Sequence, residues 1–189
     1  MPNDDFTIGF NGPPVHVHGH EGHYEPEHLA WYRLFDKGEA LFREGERGAE
    51  AFIIKAGKVH ITRAGEGPRH DLGDAGPGEI IGELAVISDM ERVATAIAQE
   101  QTVCVALSRL AVRRMMESVD METRVIIEFL VTYIRDKAEG QEVDEDQARR
   151  SRGILDYLLH SPETKEKLFR QEPFFVLLCK SLLERAKKA

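Results

Sequence analysis

The residues best placed to do chemistry lie in one stretch, Gly78-Glu79-Ile80-Ile81-Gly82-Glu83-Leu84-Ala85-Val86-Ile87-Ser88-Asp89-Met90-Glu91-Arg92-Val93-Ala94-Thr95, in which Glu83 and Arg92 stand nine residues apart. A short helical turn is expected to begin at Gly82, and a strand to follow Arg92. The first amides of a helix have no partner within it and point at whatever sits above them. Glycine at that start lets a phosphate come close to the backbone, and a guanidinium can hold the same phosphate through two parallel hydrogen bonds. A carboxylate does not belong against phosphate, so Glu83 must serve another group, and a sugar hydroxyl is the obvious partner. The pattern reads as a small anion site for a phosphate with an adjacent ribose hydroxyl.

Three segments of different composition must position these residues. Residues 1–26 are rich in Gly, Pro and His without a sustained period, which predicts a mobile or loosely packed tail. The crowded apolar run Leu29, Trp31, Tyr32, Leu34 and Phe35 predicts a short helix over about 27–35. Residues 38–107 are punctuated by glycine. Between the glycines lie brief β-branched or aromatic runs at 40–42, 51–54, 59–62, 93–97 and 102–107, which suit a β-sandwich or barrel rather than a parallel βαβ fold. Residues 108–189 read as helix. Ser108 is a good N-cap for 109–117, and Asp120 for a helix to about Lys137 whose apolar residues exceed one face. An acidic linker at 139–146 precedes helices at 145–159, 162–170 and 173–187, the last two begun by Ser161-Pro162 and Glu172-Pro173 with proline at the first helical position.

The central stretch resembles the phosphate-binding cassette of the cyclic nucleotide-binding domains, the family of the protein kinase A regulatory subunit, the cyclic-nucleotide-gated channels and the bacterial catabolite activator. Family cassettes run Phe-Gly-Glu-Leu-Ala-Leu-Leu, three variable residues, then Pro-Arg, one variable residue, and Ala. The chain has Ile81-Gly82-Glu83-Leu84-Ala85-Val86-Ile87, three residues, then Glu91-Arg92-Val93-Ala94. Gly38-Glu39, Phe42, Glu44-Gly45, Ile53, Gly57-Lys58-Val59 and Leu107-Ser108-Arg109 also agree, so the resemblance covers about 28–137. It implies an α+β fold, an antiparallel, jelly-roll-like β-roll over about 38–107 with flanking helices in a domain of 27–137, to which 138–189 adds a C-terminal helical region. It implies that Glu83 accepts from the ribose 2′-hydroxyl, that Arg92 holds the phosphate, and that amides around Gly82, Leu84, Ala85 and Val93 complete the cradle. The helix at about 120–137 would close over the base, with Tyr133, Ile134 and Lys137 as candidate contacts. Two positions depart from the pattern. Glu91 replaces the usual proline and sets a negative charge near the phosphate. Val93 stands where cyclic GMP-preferring domains often carry Thr or Ser, which favours cyclic AMP, with cyclic GMP as the alternative.

The implied function is non-catalytic, a cyclic nucleotide sensor that takes no cofactor and acts through a partner protein or self-association. Composition is consistent with it. The chain has 189 residues, 42% hydrophobic and 31% charged, and a net charge of −8. Its N-terminal 37 residues carry 2 bases and 6 acids, residues 38–117 carry 10 and 13, and the rest 13 and 14. No segment is basic, which gives nucleic-acid binding no support, and the segment 145–189 lacks the two short helices with a glycine turn of a helix-turn-helix. No apolar run nears the roughly 20 residues of a membrane span, and the start of the chain does not look like a secretory signal. The two cysteines, Cys104 and Cys179, read as small core hydrophobes in a cytoplasmic protein. No nucleophile elbow, Walker loop or Cys-x-x-Cys pair occurs. Two other readings remain open. One is a ligand-free β-roll serving as a scaffold or interaction module. The other is a metal-dependent enzyme using His16, His18, His20 and His23, a cluster of imidazoles able to chelate zinc, copper, nickel or iron.

Overall fold

The computed structural model describes residues 30–65, 68–140, 144–171 and 173–188, together with the backbone of 16–18. The strands are β1 (His16–His18), β2 (Ala30–Phe35), β3 (Ala40–Phe42), β4 (Glu50–Ala56), β5 (Val59–Arg63), β6 (His70–Ala75), β7 (Ile80–Ile81), β8 (Thr95–Ala98) and β9 (Thr102–Ser108). The helices are α1 (Glu83–Ser88), α2 (Arg109–Ser118), α3 (Met121–Glu139), α4 (Glu145–His160), α5 (Pro162–Phe169) and α6 (Pro173–Lys188). One sheet has the order β1-β2-β9-β4-β7 and the other β3-β8-β5-β6. Every pairing is antiparallel except β1 with β2. This is the β-roll with flanking helices and a C-terminal helical region.

The segment expected as a helix at 27–35 is instead a strand from residue 30. Trp31, Arg33 and Phe35 point inward and their neighbours are half-exposed. That is the period of two expected of a strand. The inward arginine hides the alternation in sequence, because a charged residue ordinarily marks a solvent face. Arg33 is accommodated by donating to Glu50 at 2.7 Å and by lying over the Phe35 ring at 4.9 Å from its centroid. Within the segment expected as a tail, His16–His18 pairs with Tyr32–Leu34, and the rest of 1–26 lies outside the described residues.

Strand β4 divides two cores. Phe52 and Ile54 point into the roll with Trp31, Phe35, Leu41, Phe42, Val59, Ile81 and Cys104. Ala51 and Ile53 point outward to a second cluster with Ile80, Leu84, Val112, Ile127, Leu130, Leu178 and Leu182. Hence β4 shows five buried residues in succession. The apolar excess of α3 is covered in large part by α6, which packs along it and buries Phe174, Phe175, Leu178, Cys179, Leu182, Leu183 and Ala186. Cys104 and Cys179 are free and buried, and desolvation pushes both thiols up to about 12.

Local capping chemistry sets the helix starts as expected. Ser108 accepts from the Ala111 amide, Asp120 from Thr123 and Ser161 from Thr164. The Asp120 carboxylate also accepts from the Thr123 hydroxyl at 2.7 Å and lies 3.2 Å from Lys167 Nζ. These contacts, the Thr123 bonds foremost, hold its pKa below the ordinary 3.8. A depressed acid stabilises the fold above its unfolded pKa and loses that contribution as pH falls through the folded value. Asp120→Ala should cost about 1 kcal/mol at neutral pH. In urea unfolding, the gap from wild type should shrink progressively once the pH drops below 3.8. A gap that stays constant down to the acid transition would contradict this account.

Candidate functional site

The cassette links β7 to β8 through α1. Helix α1 opens on Gly82 at φ 76°, with no side-chain cap, and closes on Asp89 at φ 56°. Its return is stitched to the loop between β3 and β4. The Arg92 amide donates to the Glu46 carbonyl at 2.8 Å, and the Gly45 amide to the Arg92 carbonyl at 2.9 Å. Asp89 pairs with Arg109 and, at 3.6 Å, with Arg47. Gly48 lies against α1 so closely that a Cβ there would stand 2.5 Å from that of Ala85. These contacts fix where Arg92 leaves the backbone.

From that point the Arg92 guanidinium turns inward. It donates to the Gly82 carbonyl at 2.5 Å and to the Glu50 carbonyl at 2.6 Å, with its centre 4.3 Å from the Phe42 ring centroid. Only 6% of the residue is exposed. Desolvation pulls its pKa down to about 10, opposed by the charges of Glu50, Glu83 and Glu46, so it remains a cation at neutral pH. Nε has no hydrogen-bond partner among the described residues. The one contact binds the start of α1, the end of the cassette and the start of β4 together.

Glu83 is fully buried. Its Oε1 accepts from Arg185 Nη1 of α6 at 2.8 Å, and its Oε2 has no hydrogen-bond partner among the described residues. Leu84 and Ala85 are buried in the same turn, Leu84 within the outer core. Sequence reasoning missed Arg185 altogether. It lies 102 positions from Glu83, and a basic residue in the last turn of a helix carries no signal beyond a favourable helix dipole.

A cavity of about 960 Å³ opens beside the cassette. It is bounded by Arg92 and Val93, by Glu44, Arg47 and Arg63 of the roll, and by Arg135 and Glu139 of α3. The cassette candidates are therefore divided. Arg92 and Val93 border this space, whereas Gly82, Glu83, Leu84 and Ala85 are not among its lining residues. Nor are Tyr133, Ile134 and Lys137. Tyr133 stacks on Phe129, Ile134 is buried in the outer core, and Lys137 Nζ lies 5.9 Å from the Tyr133 ring centroid. An α3 residue that both borders the cavity and bonds to the cassette is Arg135, 5% exposed, which donates to the Glu91 carbonyl at 2.9 Å and to Glu139 at 2.5 Å. Arg63 donates in turn to the Ala138 carbonyl. The end of α3 is thereby tied to both the cassette and β5. Of the four N-terminal histidines, His16 and His18 lie on β1, while His20 and His23 lie outside the described residues. Among the described residues no three potential metal ligands cluster, and no helix is long and apolar enough to cross a membrane.

The fold that carries this turn is a helix-flanked β-roll of two sheets, with Gly82-Glu83 and the buried Arg92 between β7 and β8. Residues 32–119 match the family model described as the cyclic nucleotide-binding domain, and that stretch of the chain belongs to this family. Over 107 residues the chain is 36% identical to cGMP-dependent protein kinase 2 of Mus musculus, covering 54% of this chain and 14% of the kinase. Over 78 residues it is 36% identical to the Cyclic AMP receptor protein of Thermus thermophilus, covering 41% of this chain and 36% of that protein. The chain thus spans well under half the length of either. Among solved structures, the EAL enzyme Bd1971 in its cAMP and cyclic-di-GMP bound form is similar with a TM-score of 0.55 and 25% identity, over 71% of this chain and 35% of that one.

The close approach of Arg92 to Gly82 makes a sharp test of the cassette's geometry. A Cβ on Gly82 would stand 2.6 Å from Arg92 Nη1 and 3.0 Å from Phe42, at a positive φ. Gly73 has a positive φ as well but open space around it. Both Gly→Ala changes should incur the strain of a left-handed backbone, about 1–3 kcal/mol, and Gly82→Ala should cost more because Arg92 must give way. Denaturant unfolding of the two variants checks this. Equal losses would show that Arg92 is not held where the structure places it.

Proposed function

We propose that the chain binds a cyclic nucleotide, cyclic AMP in preference to cyclic GMP, at the cassette of 82–93. The observation that carries this reading is the family match over 32–119 together with a cassette that keeps both of its charged residues, Glu83 and Arg92, in a buried setting. Burying charge is costly, and each of these residues keeps one buried polar atom, Arg92 Nε and Glu83 Oε2, without a hydrogen-bond partner among the described residues, which a ligand with a phosphate and a neighbouring hydroxyl would suit. Arg92 is the cassette side chain able to neutralise the phosphate, and the amides of Gly82, Leu84, Ala85 and Val93 supply the remaining donors. Glu83 accepts from the ribose 2′-hydroxyl. Val93 offers no hydroxyl to a guanine amino group, which supports cyclic AMP. The adjoining cavity, at about 960 Å³, has the size of small-molecule sites, roughly 300–1,000 Å³, and gives the nucleotide room to enter from the side of Arg92.

Binding is relayed, in this reading, through α3. The phosphate draws Arg92 off the Gly82 and Glu50 carbonyls. The Glu91 carbonyl next to it carries Arg135 of α3, so movement of the cassette alters the seat of that helix and shifts a population of conformers. The signal then passes to a partner protein or a second copy of the chain. The competing reading, a ligand-free scaffold, is favoured by one observation: both charged residues already have internal partners.

Calorimetric titration with cyclic AMP, cyclic GMP and AMP separates them. Charge-assisted hydrogen bonds contribute roughly 1.5–3 kcal/mol each. Losing two through Arg92→Ala should weaken binding by about a hundredfold or more, at about 1.4 kcal/mol per tenfold. Arg92→Lys should recover little, because an ammonium lacks the planar fork, and Glu83→Gln should cost least, because an amide oxygen still accepts. Absence of cyclic nucleotide binding at millimolar ligand, or unchanged binding by Arg92→Ala, would leave the scaffold reading.

A further inference from the structure

The carboxylate that a bound ribose would need is already engaged. Arg185 donates through Nη1 to Glu83 Oε1 at 2.8 Å and through Nη2 to the Ile80 carbonyl at 2.8 Å. Ser181, one turn earlier on α6, adds a hydroxyl at 3.4 Å from the same carbonyl. Ile80 belongs to β7, immediately before the cassette, so one arginine grips the approach to the cassette and its acid together. The turn carrying it is anchored by Leu182 and Ala186, both buried. None of these α6 residues lies in the family-matched segment 32–119.

Exposure shows which side holds the lock. The Arg185 side chain is 30% exposed and that of Glu83 is 1% exposed. With α6 seated, neither carboxylate oxygen is open to a ligand. Yet the seat is imperfect. Oε2 of Glu83 accepts no hydrogen bond among the described residues, and a buried acceptor without a donor is costly. A ribose hydroxyl would supply what the arginine leaves unmet.

We propose that α6 is an internal competitor for the nucleotide site, in which the Arg185 guanidinium takes the place of the ribose hydroxyl on Glu83 and nucleotide binding unseats the last turns of α6. This rests on the cyclic nucleotide reading above. The two occupants are alternatives for one carboxylate, so each weakens the other by the same factor. Release of α6 uncovers the apolar face formed by Leu182, Leu183 and Ala186 and so converts occupancy into a change at the C-terminal helices.

The test is calorimetric titration of cyclic AMP into the full chain and its Arg185→Ala variant, with amide hydrogen exchange of wild type followed across 181–188. Arg185→Ala should bind about tenfold more tightly, within the fivefold to 150-fold span usual for coupled sites, and cyclic AMP should speed exchange across 181–188 in wild type. Binding detectable only in Arg185→Ala would support the proposal too. Equal or weaker binding by Arg185→Ala, or, where wild type binds cyclic AMP, exchange across 181–188 that is unchanged or slowed by it, overturns the competitor while leaving the nucleotide site intact. Failure of both proteins to bind cyclic AMP removes the site and the competitor together. The exchange measurement decides the matter even where Arg185→Ala does not fold.

Discussion

The contact on which the rest of the structure depends is the one between the Arg92 guanidinium and the carbonyls of Gly82 and Glu50. A cation with so little exposure must be met on every side it presents, because the low-dielectric interior magnifies any polar group left alone. Two carbonyls, the Phe42 face and the nearby carboxylates meet most of it here, and Nε alone has no hydrogen-bond partner among the described residues. The requirement propagates. Gly82 has no room for a side chain, the 45–48 loop must return beneath the cassette, and Glu50 must start β4 at a fixed height. Glu50 in turn holds Arg33, so a chain of charge-assisted contacts runs from β2 through β4 to the cassette.

That chain sits where the two cores meet. One face of β4 closes the roll and the other supports α1, α3 and α6. Close-packed interiors are bistable rather than freely deformable. A displacement at α1 is therefore felt by the helices that share its outer core. Arg109 of α2 on Asp89, Arg135 of α3 on the Glu91 carbonyl and Arg185 of α6 on Glu83 are points at which separate helices touch the cassette with a charge. Two lie next to Arg92 and towards the end of α1, and one on the acid at its start, so the cassette is braced at both ends by elements that follow it in the chain.

The parts of the fold legible in sequence were those with short-range causes. Caps act over three residues, and Ser108, Asp120 and Ser161 each cap the helix that they announce. Proline opens α5 and α6 where it costs no hydrogen bond. The spacing of Gly82, Glu83 and Arg92 marks the cassette because all three sit within one short stretch between β7 and β8. Strand β2 was illegible for a long-range reason. Its crowded apolar residues fit a helix as well as a strand, and pairing with Val103–Leu107 of β9 decides between them, as does the inward Arg33, which breaks the expected alternation until Glu50 is there to receive it.

The sequence by itself determined the class of the fold, the family of the domain and the place of the Gly82-Glu83 turn, since each is written in neighbouring residues and in the positions of glycine. Only the tertiary structure decided how those residues are occupied. Arg92 faces two backbone carbonyls, the base-capping candidates of α3 stand apart from the cavity in favour of Arg135, and α6 lies across the cassette with Arg185 on Glu83. Such pairings join residues as much as 105 positions apart. No local propensity specifies them, because they arise from which faces remain apolar once the roll has closed and from the need of each buried charge for a partner.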